Sequence, residues 1–80
     1  MTKEDILLKM QDILFEQFQI EKDIVTPEAR LNEDLELDSI DAVDLLVKMK
    51  EFIPKKIDPE LFKKVKTVQD VVDLLHSLIN

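Results

Sequence analysis

The 80-residue chain contains no cysteine, no glycine, no tryptophan and no tyrosine, and it has a single histidine. Without cysteine it can form no disulfide, no thiolate metal site and no thiol nucleophile of its own. Without glycine, a glycine-rich phosphate-binding loop is excluded and tight hairpin turns are disfavoured. The lone His76 argues against both a Ser/His pair and a histidine metal centre. We therefore expect no thiolate or histidine metal site in the chain, and neither thiol nor Ser/His catalysis.

Long apolar runs are also missing from the sequence. No stretch approaches the roughly 20 apolar residues of a membrane-spanning helix. The first ten residues, MTKEDILLKM, place acids before any apolar stretch, which is not the pattern of a secretory signal. With 45% hydrophobic and 36% charged residues the chain is typical of a globular protein rather than a disordered one. We expect a single cytoplasmic domain that covers residues 1–80.

Acidic residues outnumber basic ones by 18 to 11, for a net charge of −7. This balance argues against nucleic acid as a partner. The charge is also segregated, because residues 28–51 hold eight acidic and three basic groups, whereas residues 52–66 hold two acidic and five basic groups. The middle segment is therefore expected to form an acidic surface that attracts basic protein partners.

Apolar residues recur at helical spacing along most of the chain, and no segment shows the alternation of a strand. The pattern predicts a first helix at about 3–18 with Thr2 as its N-cap, and a second at about 39–52 that Pro54 stops. A short third helix is predicted at about 59–64, and Thr67 is predicted to cap the last one. The predicted fold class is all-α, a small four-helix bundle with three main helices and a short one.

Residues 19–38 form a long connection with at most one helical turn, at Thr26-Pro27-Glu28. Connections of this length in compact domains are usually functional, or else their assignment as a loop is wrong. The phenylalanines and methionines of the chain are also expected in the core. The residues predicted to pin the connection to the core are Val25, Leu31, Leu35 and Leu37.

The second helix carries two apolar faces when its residues are placed at 100° intervals. One face is an ordinary core stripe. The other is rimmed by acids and is expected either to bind a partner or to be covered by the long connection. The core stripe comprises Ala42, Leu45, Leu46, Met49 and Ile53. The second stripe comprises Ile40, Val43 and Val47, with Asp41, Asp44 and Glu51 around it.

Ser39 begins this helix, and a serine at a helix start usually caps it. Asp38 is equally suited to that role. If Asp38 caps, the Ser39 hydroxyl is free in the first turn, where the helix dipole favours a phosphate ester and the neighbouring acids oppose it. The residues alone leave both interpretations of Ser39 open.

The stretch DLELDSIDAVDLL, residues 34–46, resembles the modification site of acyl carrier proteins. In that family an Asp-Ser-Leu motif opens the second helix of a four-helix bundle, and here it stands as Asp38-Ser39-Ile40. The resemblance extends to TPEARLNEDL in the connection and VKTVQDVVDLL at the last helix, and so covers nearly the whole chain. It implies that Ser39 carries 4'-phosphopantetheine, whose thiol would hold acyl groups as thioesters.

The resemblance also implies partners and a place for the cargo. The partners would be a phosphopantetheinyl transferase, ketosynthases and other acyl-processing enzymes, which would act on a monomeric carrier. The implied partner-binding residues, besides Asp38, are Ile40, Asp41, Val43, Asp44, Val47 and Glu51. The implied lining of an acyl-chain cleft is Leu45, Leu46, Met49 and Leu74.

Lys48, Lys50 and the basic segment 52–66 depart from the acidic pattern of the common fatty-acid members. In this respect the chain is more similar to carriers of specialised pathways, such as aryl-polyene or polyketide-like ones.

Two alternative functions stand beside the carrier interpretation. One is an acidic helical adaptor that binds a basic protein and uses Ser39 only as a cap. The other is an aminoacyl or peptidyl carrier, which the acidity around Ser39 disfavours.

Overall fold

The computed structural model of the protein describes residues 2–51, 60 and 64–79. Within these ranges the chain forms three α-helices and one short 3-10 turn and contains no strand; its one extended pairing is an isolated antiparallel bridge between Arg30 and Thr67. The all-α prediction is confirmed. The helices are α1 (Lys3–Phe18), α2 (Ser39–Met49) and α3 (Val68–Ile79), and the 3-10 turn is Lys22–Ile24.

Two predicted features lie largely outside this part of the chain. The short helix predicted at about 59–64 is described only at Glu60 and Lys64, and Ile53 of the predicted core stripe is not described. Both stay predictions. None of the helices in the described ranges combines the length and the apolar character that crossing a membrane requires.

Reciprocal capping fixes the start of α1 at the predicted residue. The Thr2 hydroxyl accepts a hydrogen bond from the Asp5 N–H at 3.1 Å, and the Asp5 carboxylate accepts one from the Thr2 N–H at 3.0 Å. The hydrogen bond that the carboxylate accepts from the Thr2 backbone is the main cause that lowers the pKa of Asp5. Two donors that the first helical turn leaves unpaired are thereby satisfied.

The start of α3 has the same arrangement. Thr67 Oγ1 accepts from the Asp70 N–H at 3.2 Å, and the Asp70 carboxylate accepts from the N–H groups of Lys66 and Thr67 at 3.0 and 3.2 Å. The predicted cap at Thr67 is therefore confirmed. Hydrogen bonds from two backbone donors lower the pKa of Asp70.

The predicted end of α2 is wrong by about three residues. The helix ends at Met49, and the Lys50 N–H lies 3.2 Å from the Leu46 carbonyl and 3.3 Å from that of Val47. This shared bond marks a tightening of the last turn. The prediction relied on Pro54, which sets only the latest residue at which a helix can stop.

The connection between α1 and α2 is part of the core. All four residues predicted to pin it are buried, and so is Ala29. The N–H of Leu31 donates to the Lys66 carbonyl at 2.9 Å, and the N–H of Val68 donates to the Ala29 carbonyl at 2.9 Å. These bonds tie the connection to the start of α3. The segment that leads into Ser39 is therefore fixed both by hydrogen bonds and by burial of its apolar side chains.

Each helix contributes a stripe of fully or nearly fully buried residues to one hydrophobic cluster. The expectation that every phenylalanine is core is wrong for Phe15, whose side chain is 45% exposed. It lies one position after the buried Leu14, and its ring packs beneath the Lys22 ammonium at 5.5 Å. The buried residues of the helices are Ile6, Met10 and Leu14 in α1, Leu45, Leu46 and Met49 in α2, and Val68, Val71, Val72 and Leu75 in α3.

Glu36 has a left-handed backbone, with φ of 57°, in a chain that contains no glycine. A side chain in this conformation costs about 1 kcal/mol or more, which glycine avoids. We therefore expect Glu36→Gly to raise the free energy of unfolding by about 0.5–1 kcal/mol in urea denaturation. Asn32→Gly is the control, because Asn32 has no positive φ, and it should lower stability. A loss of stability in both variants would contradict the prediction.

The cap at Asp70 predicts a pH dependence. Because folding lowers the pKa of Asp70, its contribution is fully present above the ordinary carboxyl range and is lost as the pH falls through the folded-state pKa. Asp70→Asn should lower the free energy of unfolding by about 0.5–1 kcal/mol at neutral pH. On acidification, the free energy of unfolding should fall less in this variant than in the wild type.

Denaturant unfolding between about pH 7 and pH 2.5 measures this difference. The control is Asp23→Asn, because the Asp23 side chain makes no hydrogen bond or ion pair within the described part of the chain. An acid-induced loss as large in Asp70→Asn as in the wild type would refute the linkage.

Candidate functional site

Asp38, and not Ser39, caps α2. The Asp38 backbone is extended, and its carboxylate accepts a hydrogen bond from the Asp41 N–H at 2.9 Å. The Asp41 carboxylate in turn accepts from the Asp38 N–H at 3.4 Å. Of the two candidates that the sequence offers for the cap, the structure selects the aspartate. The Ser39 hydroxyl is therefore not required to start the helix.

Ser39 is the first residue of α2 and is exposed. Its side chain makes no hydrogen bond to any other residue of the described ranges. The hydroxyl stands at the end of the helix where the dipole favours negative charge. It can be esterified by a phosphate without the loss of the cap or of a buried contact.

A cleft of about 460 Å³ opens beside Ser39, between the connection, the first turn of α2 and the segment before α3. Apolar side chains form much of its wall. Arg30 and Lys66 supply basic groups, although the Arg30 guanidinium also pairs with Glu33 at 2.6 Å. The apolar lining residues are Leu31, Leu37, Ala42 and Val65.

This cleft was missed by sequence reasoning. Leu31 and Leu37 are both buried, as predicted, and yet they also line the cleft wall. Val65 was not singled out at all. Helical periodicity places residues on the faces of one helix, but it does not say where a loop meets a helix. No signal in the sequence could have located this cleft.

The two apolar faces of α2 are both present. Its core stripe packs inward, with Leu45, Leu46 and Met49 buried and Ala42 half-buried. The second stripe faces solvent and is not covered by the connection. The exposed fractions are 76% for Ile40, 40% for Val43 and 54% for Val47.

The acids expected around the exposed stripe have different surroundings. Asp41 is half-buried and belongs to the cap, and Glu51 is exposed. Asp44 forms an ion pair with Lys48, whose Nζ lies 3.1 Å from Oδ1 and 3.2 Å from Oδ2. Sequence reasoning noted Lys48 as a break in the acidity but missed this pair, which the four-residue spacing could have indicated.

The residues predicted to line an acyl-chain cleft lie in or against the core. Leu45, Leu46 and Met49 are buried, and Leu74 is half-buried and packs on the same cluster. Ala42, which lines the cleft beside Ser39, precedes Leu45 and Leu46 by three and four residues on the helix. Leu45 and Leu46 therefore follow Ala42 on the helix toward the core, and the role of all four residues as a lining stays a prediction.

Comparison with known proteins identifies the family. Residues 9–75 match the family described as the phosphopantetheine attachment site. Acyl carrier protein 2 of Ralstonia nicotianae is 49% identical over 79 residues, which cover 99% of this chain and 98% of the relative.

Two further relatives are acyl carrier proteins. That of Rubrobacter xylanophilus is 40% identical and covers 91% of this chain and 90% of its own, and that of Thermosynechococcus vestitus is 37% identical and covers 99% and 98%. These matches favour the carrier over the acidic adaptor. The chain belongs to the acyl carrier protein family and is a carrier that uses covalently bound 4'-phosphopantetheine.

Proposed function

We propose that Ser39 is the attachment residue and that the chain delivers acyl thioesters to biosynthetic enzymes without catalysing any step itself. The observation that carries the proposal is the division of roles at the start of α2. Asp38 caps the helix, and this leaves the exposed Ser39 hydroxyl without a partner in the described residues. Ser39 also lies within the matched range 9–75.

The surroundings of Ser39 fit a phosphate-linked arm. The helix N-terminus favours the phosphodiester charge, and Lys66 and Arg30 stand in the wall of the adjoining cleft, which Glu33 and Asp38 also line. Apolar residues of the same wall suit the hydrocarbon part of the arm. The bound group supplies the thiol for a thioester, which a chain without cysteine lacks.

The cleft beside Ser39 also supports a route for the cargo. Its wall reaches Ala42, and the next turn of that helix presents Leu45 and Leu46 to the core. We propose that an acyl chain enters between these residues, Met49 and Leu74 when the core opens locally. The van der Waals contacts that these apolar side chains make with one another would then be replaced by similar contacts with the acyl chain.

The exposed stripe of α2 is the proposed docking face. Ile40, Val43 and Val47 supply apolar contacts, and Asp38, Asp41, Asp44 and Glu51 supply charge. Such a face suits a phosphopantetheinyl transferase, ketosynthases and other acyl-processing enzymes with basic docking sites, acting on a monomeric cytoplasmic carrier. The net charge of +3 over residues 52–66 of the sequence supports the prediction of a specialised pathway.

Replacement of Ser39 tests the attachment site. Ser39→Ala should keep its free energy of unfolding within about 1 kcal/mol of the wild type, because Asp38 caps the helix. Intact mass after treatment with coenzyme A and a broad-specificity transferase should rise by one phosphopantetheine in the wild type and not in the variant.

The control for this experiment is Ser77→Ala, since Ser77 is the other serine of the chain. Its hydroxyl donates to the Leu74 carbonyl at 2.7 Å. The variant should still be loaded. A mass increase in Ser39→Ala would show that the attachment residue lies elsewhere.

Truncation of Ile40 tests the docking face. Ile40→Ala should change stability by less than about 0.5 kcal/mol, because the side chain is 76% exposed. It should lower kcat/KM of the transferase for this substrate by about tenfold, since an apolar anchor at an interface is lost. The control is Leu8→Ala, which truncates an apolar side chain that is 53% exposed on α1. Equal rates for the two variants would argue against the docking face.

A further inference from the structure

Lys48 holds the Asp44 carboxylate from within the same helix. Its Nζ contacts both carboxylate oxygens, at 3.1 and 3.2 Å. The aspartate precedes the lysine by four residues, which is the favourable order for an ion pair on a helix. Asp44 is one of the acids that flank the exposed stripe of α2, so the pair lies beside the proposed docking face.

The position of Lys48 is supported by α1 as well as by Asp44. Its Nζ lies 5.9 Å from the centre of the Phe18 ring, and its side chain is only 30% exposed. Lys48 also lines a shallow hollow together with Glu16 and Glu51. The aromatic ring and the nearby carboxylates both attract the Lys48 ammonium and stabilise it in this position. Lys48 is therefore anchored on two helices.

The anchoring changes what an approaching enzyme meets. At distances longer than the pair's own separation, the charges of Asp44 and Lys48 largely cancel, so Asp44 contributes little to long-range attraction. An arginine or lysine that docks on Asp44 must share the carboxylate with Lys48 or displace it from Phe18. The uncompensated docking charge of the first turns is then that of Asp38 and Asp41, at the Ser39 end of the helix.

We propose that Lys48 is a specificity-determining residue of this carrier, because its ion pair withholds the Asp44 carboxylate from enzymes that dock through a basic patch. The proposal rests on the proposed function. The favoured partner is an enzyme that places a cation against Asp41 and a neutral or acidic side chain against Lys48. Charge complementarity supports this choice, because the acidic first half of α2 is followed by Lys48 and Lys50.

The test measures kcat/KM for loading by a phosphopantetheinyl transferase whose carrier-binding surface is basic, with coenzyme A as the second substrate. Lys48→Gln frees Asp44 and should raise kcat/KM about two- to threefold at low salt. The gain should disappear between about 50 and 500 mM NaCl, because salt screens exposed charges. Circular dichroism verifies that each variant is folded.

Two controls separate the ion pair from net charge. Lys50→Gln makes the same change in charge at an exposed lysine that forms no ion pair within the described ranges, and it should change the rate less. In an Asp44→Asn background, Lys48→Gln should bring no more gain than Lys50→Gln brings, because only the change in net charge then remains. The combination forms a double-mutant cycle for the pair.

Three results would overturn the proposal: an equal gain from Lys50→Gln, slower loading of Lys48→Gln, or a gain from Lys48→Gln that is as large in the Asp44→Asn background as in the wild type. Loading of the wild type tests the proposed function separately from the role of Lys48. If the wild type gains no phosphopantetheine, or gains it in Ser39→Ala as well, the attachment site is wrong and the proposal falls with it. If the wild type is loaded at Ser39 and the cycle shows no coupling, only the role of Lys48 is refuted.

Discussion

The position of Ser39 depends on how the connection before it is tied to the rest of the protein. Backbone N–H groups from Leu31 and Val68 reach across between the connection and the start of α3. Leu35 and Leu37, just ahead of the Asp38 cap, are buried. The hydrogen bonds and the burial of these leucines together fix the path of the chain into α2. A loop without these contacts would leave the orientation of the serine undefined.

This arrangement separates the structural and chemical roles of two adjacent residues. Asp38 satisfies the exposed N–H of Asp41 and starts the helix. Ser39 then occupies a helical position that a cap residue cannot occupy, since the cap has an extended backbone. Modification of its hydroxyl removes no interaction that the fold uses among the described residues. Under the proposed attachment at Ser39, a charged arm would be repelled by the neighbouring acids. Solvent screening and the helix dipole would reduce that repulsion.

The features that local chemistry determines were predictable from the sequence. Thr2 and Thr67 were recognised as caps, and α1 has the predicted bounds, because a cap needs only residues a few positions apart. The end of α2 was not predictable in this way, since Lys50 ends the helix without glycine or proline at that position. The cleft beside Ser39 depends on tertiary contacts between the connection and the segment before α3. The i,i+4 spacing indicates the Asp44–Lys48 pair, because both residues lie on one helix. It does not indicate the contact of Lys48 with Phe18, which depends on how α1 packs against α2.

A helix of eleven residues serves two surfaces here, and this limits how its sequence can change. Substitutions in the buried stripe, such as at Leu45, disturb packing and cost stability. Substitutions at Ile40, Asp44 or Lys48 change a surface that solvent reaches, and on the proposed docking face they would alter which enzyme binds. Partner choice can therefore change one side chain at a time without a rearrangement of the core. The ion pair is suited to this, because exchange of one lysine alters the charge beside the docking face while the cap, the serine and the core stripe stay as they are.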